Sequence, residues 1–456
     1  MTVIENLYRA MVKKINDCYM FATYTVTSSS LGKKRARIHK NWINNDIILK
    51  IKERDKRFQK WKNCNVNSLK RILRDEYVRC RNKINKLIKN EKIKYFKNAI
   101  EREKGNIKET WKNINSFIGK KDRKSVDEVI NTFLGKKFSN IDIANGFVGS
   151  FIDEVNALKH KCTIITDETP PASGELQSMR MPTFNESQIK YIINQLKYKK
   201  QPGIDGVRTK DVMLLVNEMS KPITKLCNLS FKNSIVPSQL KTAIIRPVFK
   251  KGDHYKFSNY RQIAILSVFD FIMERAVAYV LTDYLTNHKI ISKFQFGFQK
   301  GRSTGDLLTQ LSDFINAKLN VNMHVIALFI DFTKAFDTIN HDKLISILEK
   351  IGIRGPMLLW FSNYLCDRKI VVQINDSISE SRHCNTGVPQ GSILGPMLYL
   401  IYVNEMFIGV TNCQYYMYAD DTLILAAHKS LREAECIMQS SLNNLAKFTH
   451  DTLSFS

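Results

Sequence analysis

Gln414-Tyr415-Tyr416-Met417-Tyr418-Ala419-Asp420-Asp421-Thr422-Leu423-Ile424-Leu425 sets two adjacent carboxylates between two short apolar runs. The Tyr, Met, Thr, Leu and Ile on either side favour extended chain, so residues 415–425 are expected to form a hairpin with acid at its tip. Neighbouring carboxylates at a tight turn repel each other and do not stabilise a fold by themselves. Beside buried strands they point to a cation held between them, and an ordinary solvent-exposed Asp-Asp turn is the plain structural alternative.

A third acid lies upstream. Val325-Ile326-Ala327-Leu328-Phe329-Ile330 reads as a buried strand delivering Asp331 at its C-terminal end. Asp337 and Thr338 instead stand where they would cap the following helix, which gives Asp337 a structural role. Further β-prone runs occupy residues 243–249 and 370–374, with helical stretches between, including 185–197 and 431–448. This intermixing, without any fixed-period repeat, predicts an α+β domain with an antiparallel sheet rather than a regular parallel one.

The chain has 456 residues, 44% of them hydrophobic, enough for two to four domains with substantial cores. Its 70 Lys and Arg against 43 Asp and Glu leave +27, a field that suits a polyanionic partner. Residues 33–124 alone hold 31 Lys and Arg against 10 Asp and Glu, so a basic module is joined to a nearly balanced one. Within it Leu73, Tyr77, Cys80, Ile84, Leu87, Ile88, Tyr95, Phe96 and Ala99 keep near-helical spacing among lysines and arginines. A long basic helix from Leu69 follows, with further helices over 42–61 and 108–117, making the first 120 residues all-helical. Such helices grip phosphates without reading sequence, the alternative being a solvated face with surplus charge. Trp42, Trp61 and Trp111 suit helix-face packing better than stacking on bases.

Between Cys162 and Met181 the adjacent Pro170 and Pro171, with Ser, Gly, Thr and Glu, read as a linker over 165–182. Nine cysteines lie far apart with no C-x-x-C pair and no secretory leader, which fits a reduced, intracellular setting in nucleus or cytoplasm. The run Lys33-Lys34-Arg35-Ala36-Arg37 serves nucleic-acid binding and nuclear import alike. Residues 393–410 form the longest apolar stretch, but Gly395, Pro396, Asn404 and Glu405 interrupt it, so no membrane span or membrane partner is expected.

Leu328-Phe329-Ile330-Asp331-Phe332-Thr333-Lys334-Ala335-Phe336-Asp337 resembles the first palm motif of non-LTR retrotransposon reverse transcriptases. Gly387-Val388-Pro389-Gln390-Gly391-Ser392-Ile393-Leu394-Gly395-Pro396 and Tyr418-Ala419-Asp420-Asp421 are similar to later landmarks of that family, in the same order. Arg246 to Asp253, Asn259 to Leu266 and Phe294 to Thr304 resemble its finger motifs, and the likeness runs from about Pro202 to Leu425.

The resemblance implies an RNA-directed DNA polymerase with a right-hand fold: fingers over 183–320 and an incomplete palm over 321–456, preceded by the basic helical region 1–164. It implies Asp331, Asp420 and Asp421 as catalytic and metal-binding acids, with the Phe332 backbone carbonyl as a further ligand. Two Mg²⁺ ions are expected from hard oxygen ligands facing phosphate, and Mn²⁺ suits the same oxygens. Phe336 would wall off a 2′-hydroxyl, Gln390 would bond the nucleotide's sugar, and Lys250 and Arg261 would meet the triphosphate, with Lys251 a substitute for Lys250. Gly387, Pro389 and Gly391 would let backbone approach the template. Asp205 and residues 297–304 would shape the fingers and template path without taking part in chemistry. The partners implied are an RNA template, a DNA primer and dNTPs.

Departures are Gln262, where similar proteins usually carry proline, and the order of Pro202-Gly203-Ile204-Asp205. Beyond residue 448 the lysine-bearing motif, primer grip, thumb and zinc knuckle of the family are expected to be missing, and the start at Met1 leaves no room for an endonuclease. The readings that stay open are a working polymerase, an inert retrotransposon remnant that binds nucleic acid, and an intron-encoded or domesticated relative. Intact Asp331, Asp420, Asp421 and Gln390 favour chemistry.

Overall fold

The computed structural model describes residues 2–23, 43–64, 66–102, 107–118, 138–159, 178–196, 201–332, 334–407, 410 and 412–450. The chain divides into two compact units, Val26–Ser125 and a larger one formed by Met1–Thr25 with Val126–Ser456.

In the smaller unit the described residues form α2 (Asn45–Lys62), α3 (Asn67–Arg102) and α4 (Ile107–Ile118), following α1 (Thr2–Thr23) in the chain. The Asn44 side chain caps α2 by accepting from the Ile47 amide, with Asp46 in the first turn and Lys60 and Lys62 in the last, charges that suit the helix dipole. At the α2–α3 contact Trp61 stacks on Tyr77 at 5.7 Å, and Phe58 closes on both rings. Phe96 meets Phe117 edge-on at 5.4 Å between α3 and α4. Trp61 is therefore packing material, as its spacing suggests; Trp111 is exposed, and Trp42 lies outside the described residues. At 36 residues, α3 is about 54 Å long.

In the larger unit, α1 and α5 (Asn140–Lys159) belong to the main core. Ile4, Tyr8, Met11 and Ile15 in α1, and Ala144, Phe147, Val148 and Phe151 in α5, repeat every three or four residues and are buried. The structural division thus departs from a boundary at 165–182, because apolar faces on both sides of the basic module join one core. Pro170, Pro171 and most of that stretch lie outside the described residues.

The unit continues through α6 (Glu186–Asn194), α7 (Thr209–Leu214), α8 (Val216–Asn233), β1 (Thr242–Phe249), β2 (Tyr260–Ile265), α9 (Val268–Asn287) and α10 (Thr304–Leu319). Next come β3 (His324–Ile330), α11 (His341–Lys350), α12 (Pro356–Leu365), β4 (Lys369–Ile374), β5 (Ser377–Ile378) and β6 (Arg382–His383). It closes with α13 (Leu394–Asn404), β7 (Gln414–Tyr418), β8 (Asp421–His428) and α14 (Leu431–His450).

Strands β3, β8 and β7 form an antiparallel sheet in that order. Central β8 is buried on both faces, which explains its unbroken run Leu423-Ile424-Leu425-Ala426. Leu423 and Leu425 meet Leu307, Leu311 and Phe314 of α10, while Ile424 and Ala426 face the main core. The second sheet has the order β2-β1-β4-β5, with β6 also on β4. Here β1 and β4 run parallel, so this sheet is mixed rather than antiparallel. Among the described residues no helix is long and apolar enough to cross a membrane.

Two carboxylates, Glu274 buried and Asp205 half-buried, tie the helices together. Glu274 on α9 accepts from the Tyr364 hydroxyl at 2.5 Å and from the Ile393 and Leu394 amides, satisfying the open N-terminus of α13. Asp205 accepts from the Tyr8 hydroxyl at 2.9 Å, the Ser267 hydroxyl at 2.5 Å and the Val207 amide at 3.1 Å, joining α1 to the start of α9. Asp205→Ala should therefore destabilise the larger unit by about 2–4 kcal/mol, because three donors lose one acceptor. Tyr8→Phe, which removes a single bond, should cost about 1 kcal/mol. Urea unfolding followed by circular dichroism checks the order; equal effects would refute a shared hub.

Candidate active site

The β3–β8 register gathers the acids. Ile330 pairs with Thr422 at the end of this register, so Asp331 and Asp421 each stand one residue beyond the last pair, on the same end of the sheet. Tyr418 pairs with Asp421 across the hairpin, leaving Ala419 and Asp420 as its two-residue tip. Asp331 and Asp421 are exposed, and Asp420 is half-buried. Burial, and after it the like charges of Asp421 and Asp331, raise the Asp420 carboxyl, while a backbone hydrogen bond and the Arg261 charge pull it back. Among the described residues no group of three or more His, Cys, Asp or Glu side chains is already drawn together to hold a metal ion.

Tyr399 on α13 lies against these acids and is absent from the sequence reading. Its hydroxyl is buried without a hydrogen-bond partner. Burial, then the charges of Asp420 and Asp421, push the phenol well above its usual range. Its ring stacks on Phe336 at 4.7 Å, and Phe298 meets the other end of that contact edge-on, 6.1 Å from Phe336. The Phe336 ring therefore belongs to an aromatic group beside the carboxylates. Phe332, next to Asp331, is buried.

Gln390 sits in the loop before α13. Its Nε2 donates to both oxygens of Asp337 at 3.1 Å, and its carbonyl accepts from the Ala264 amide of β2 at 2.8 Å. The cap of α11 is Asn340, whose side chain accepts from the Lys343 amide, so Asp337 does not cap that helix. Its structural role is to hold Gln390. Gly387 has φ +76°, and a Cβ there would come within 2.6 Å of the Asp337 carbonyl. At Gly391 a Cβ would approach the Ala264 oxygen to 2.8 Å. Close approach of the chain to itself thus accounts for these glycines.

On the β1–β2 ribbon Arg261 pairs with Val248, and Lys250 follows two residues after Val248, so both cations share one face. The Arg261 charge reaches Asp420; Lys250 lies at the exposed end of the ribbon, where its amide donates to the Asn259 carbonyl.

These positions can be compared with known proteins. Residues 248–452 match the family model described as reverse transcriptase (RNA-dependent DNA polymerase). That span is similar to a reverse transcriptase domain, and the relatives it matches come from non-LTR retrotransposons. The chain is 32% identical over 262 residues to the probable RNA-directed DNA polymerase from transposon BS of Drosophila melanogaster, covering 56% of this chain and 29% of the relative. It is 26% identical over 274 residues to the RNA-directed DNA polymerase from mobile element jockey of the same fly, covering 58% and 30%. A putative 115 kDa protein of the type-1 retrotransposable element R1DM, also from that fly, is 27% identical over 271 residues, covering 59% and 25%. The chain thus spans less than a third of the length of these relatives.

Asp337 supplies a titration of its own. Burial first, opposed by Lys334 and the Gln390 bond and aided by Glu154, pushes it from 3.8 to about 6. The folded state then binds this proton more tightly, so the stability it contributes is full below pH 3.8 and lost as pH rises through 6. Asp337→Asn should gain stability over the natural chain between pH 4 and pH 8 by up to about 3 kcal/mol. Paired urea unfolding curves across that range check it; a flat difference would mean Asp337 does not titrate there.

Proposed function

We propose that this chain is the RNA-directed DNA polymerase of a non-LTR retrotransposon, adding deoxynucleotides to a primer 3′-hydroxyl on an RNA template. The observation that carries the reading is the register that brings Asp331 and Asp421 to the same end of one sheet beside Asp420, within a matched reverse transcriptase domain. On this reading the three-stranded sheet belongs to the palm, and residues 183–320 supply most of the fingers. The span assigned to the palm also lends β4, β5 and β6 to the other sheet.

An Asp420 carboxyl raised by burial and then by the charges of Asp421 and Asp331, beside a buried phenol without a partner, fits a divalent cation better than an unliganded turn. Asp331, Asp420, Asp421 and the Phe332 carbonyl would hold two Mg²⁺ ions, with Mn²⁺ accepted by the same oxygens. Bound there, the ions supply Lewis acidity that favours the attacking alkoxide and neutralises the β- and γ-phosphates. The chain's own groups orient the substrates. Arg261 offers a planar fork and Lys250 a point charge for triphosphate oxygens. Gln390, aimed by Asp337, bonds the sugar, and Phe336, backed by Tyr399, occupies the space a 2′-hydroxyl would need.

The unit Val26–Ser125 carries 31 Lys and Arg against 10 Asp and Glu and would hold template and primer through phosphates. That charge also favours a second reading, a nucleic-acid-binding remnant without catalysis.

Primer extension on an RNA template with Mg²⁺ and dNTPs separates the two. The natural chain should extend and its Asp420→Ala, Asp421→Ala double variant should not; no extension by either, with RNA binding retained, would favour the remnant. Replacing the gate by Phe336→Ala should raise ribonucleotide use relative to deoxynucleotide use on the order of tenfold or more. An unchanged ratio of kcat/KM values would remove Phe336 from sugar selection.

A further inference from the structure

Gln295 is 1% exposed and lies on the strap that precedes α10. A buried carboxamide must find partners for both its oxygen and its amino group. Its Oε1 accepts from the Ala419 amide at 3.0 Å and from the Gly297 amide at 2.8 Å, and its Nε2 donates to the Ala419 carbonyl at 3.3 Å. One side chain therefore occupies both backbone groups of the residue before Asp420, as a neighbouring strand would.

The backbone around it is built for that approach. The Phe296 amide donates to the Met417 carbonyl at 2.8 Å and the Met417 amide donates to the Phe294 carbonyl at 2.9 Å, so the strap closes the outer edge of β7. At Gly297 any Cβ would come within 2.1 Å of the Ala419 nitrogen. Ala419 itself has φ +59°, a left-handed conformation that alanine keeps only where its surroundings hold it. Phe294 and Phe296 already anchor the strap through Tyr415 and Tyr416. The Gln295 carboxamide is directed elsewhere, at the hairpin tip.

We propose that Gln295 is a positioning residue for the metal carboxylates, holding the Ala419 backbone so that Asp420 and Asp421 leave the hairpin in fixed directions. The proposal rests on the polymerase reading above. Like charges on Asp331, Asp420 and Asp421 push the tip toward any conformation that separates them, and the clamp removes that freedom before a cation arrives. Loss of the clamp should consequently appear in metal affinity, beyond any change in core stability.

Mn²⁺ binding to the full chain, followed by loss of the free-ion electron paramagnetic resonance signal, tests it without relying on turnover. Gln295→Leu should weaken Mn²⁺ binding about tenfold or more, as loss of a group that orients metal ligands does. The Mg²⁺ needed for half-maximal extension should rise in step, while the dNTP KM and metal-free RNA affinity move little. Gln295→Asn, which keeps the carboxamide but is too short to reach both Ala419 groups, should lie between and decides alone if the leucine variant does not fold. Natural Mn²⁺ affinity in the folded variants overturns the clamp even where extension is lost. Mn²⁺ binding by the natural chain that survives Asp420→Ala, Asp421→Ala overturns the metal-site reading itself, and the proposal with it.

Discussion

The constraint on which the rest depends is the pairing of β3 with β8. Side chains alternate along a strand, so a slip of one residue would turn Leu423 and Leu425 into the main core and Ile424 and Ala426 toward α10. Both faces of β8 are filled with differently shaped neighbours, which fixes the register over its whole length. The acids inherit that precision at no separate expense of structure. Asp331 and Asp421 come together because the seven pairs before them, five of them wholly apolar, have already been matched. A hydrophobic sheet thus opposes the mutual repulsion of carboxylates that would otherwise part.

Strain gathers where the sheet ends. Ala419, Lys334 and Phe298 all take positive φ without being glycine, and all three lie beside the acids or the Phe336 ring. Each is held by something specific: Ala419 by Gln295, Phe298 within a strap paired to β7, and Lys334 by its ion pair with Glu154 of α5. Left-handed backbone of this kind costs about 1–3 kcal/mol per residue and persists only where the surroundings over-determine it. Of the nine described non-glycine residues with positive φ, these three border the carboxylates or the Phe336 ring.

Local pattern made part of this legible. The strands of 243–249, 324–330 and 370–374, the hairpin of 415–425 and the helices over 45–62, 67–102, 107–118 and 431–450 follow from periodicity and chain propensity, within a residue or a few at their ends. Long-range pairing did not. Parallel β1–β4 contact joins residues more than a hundred positions apart, and nothing in either strand announces its partner. Asp337 looked like a cap because it precedes a helix, yet Asn340 takes that place and Asp337 turns to Gln390. Tyr399 lay inside an apolar helical run and Gln295 inside a stretch read only as a finger motif, so their partners at the acids became visible only in three dimensions. The core membership of α1 and α5 was hidden in the same way, because charge counting drew attention to the basic residues between them.

Charge is divided between the units in a way that follows from electrostatics. A cluster of carboxylates repels the phosphates it would act on, so attraction for a nucleic acid must come from elsewhere on the chain. The unit Val26–Ser125, with 31 Lys and Arg against 10 Asp and Glu, carries most of the +27. Its field is long-ranged, screened by salt and indifferent to base identity. In the proposed reading the acids, Gln390 and the Phe336 ring would act only over contact distances, where geometry rather than net charge discriminates. Separating the two would let the affinity for a polyanion be large while the few groups proposed to meet a nucleotide keep a charge pattern set by the sheet. Such a division also explains why composition alone points to a polyanion but not to chemistry: the first is a sum over seventy cations, and the second would rest on three acids at the end of one sheet.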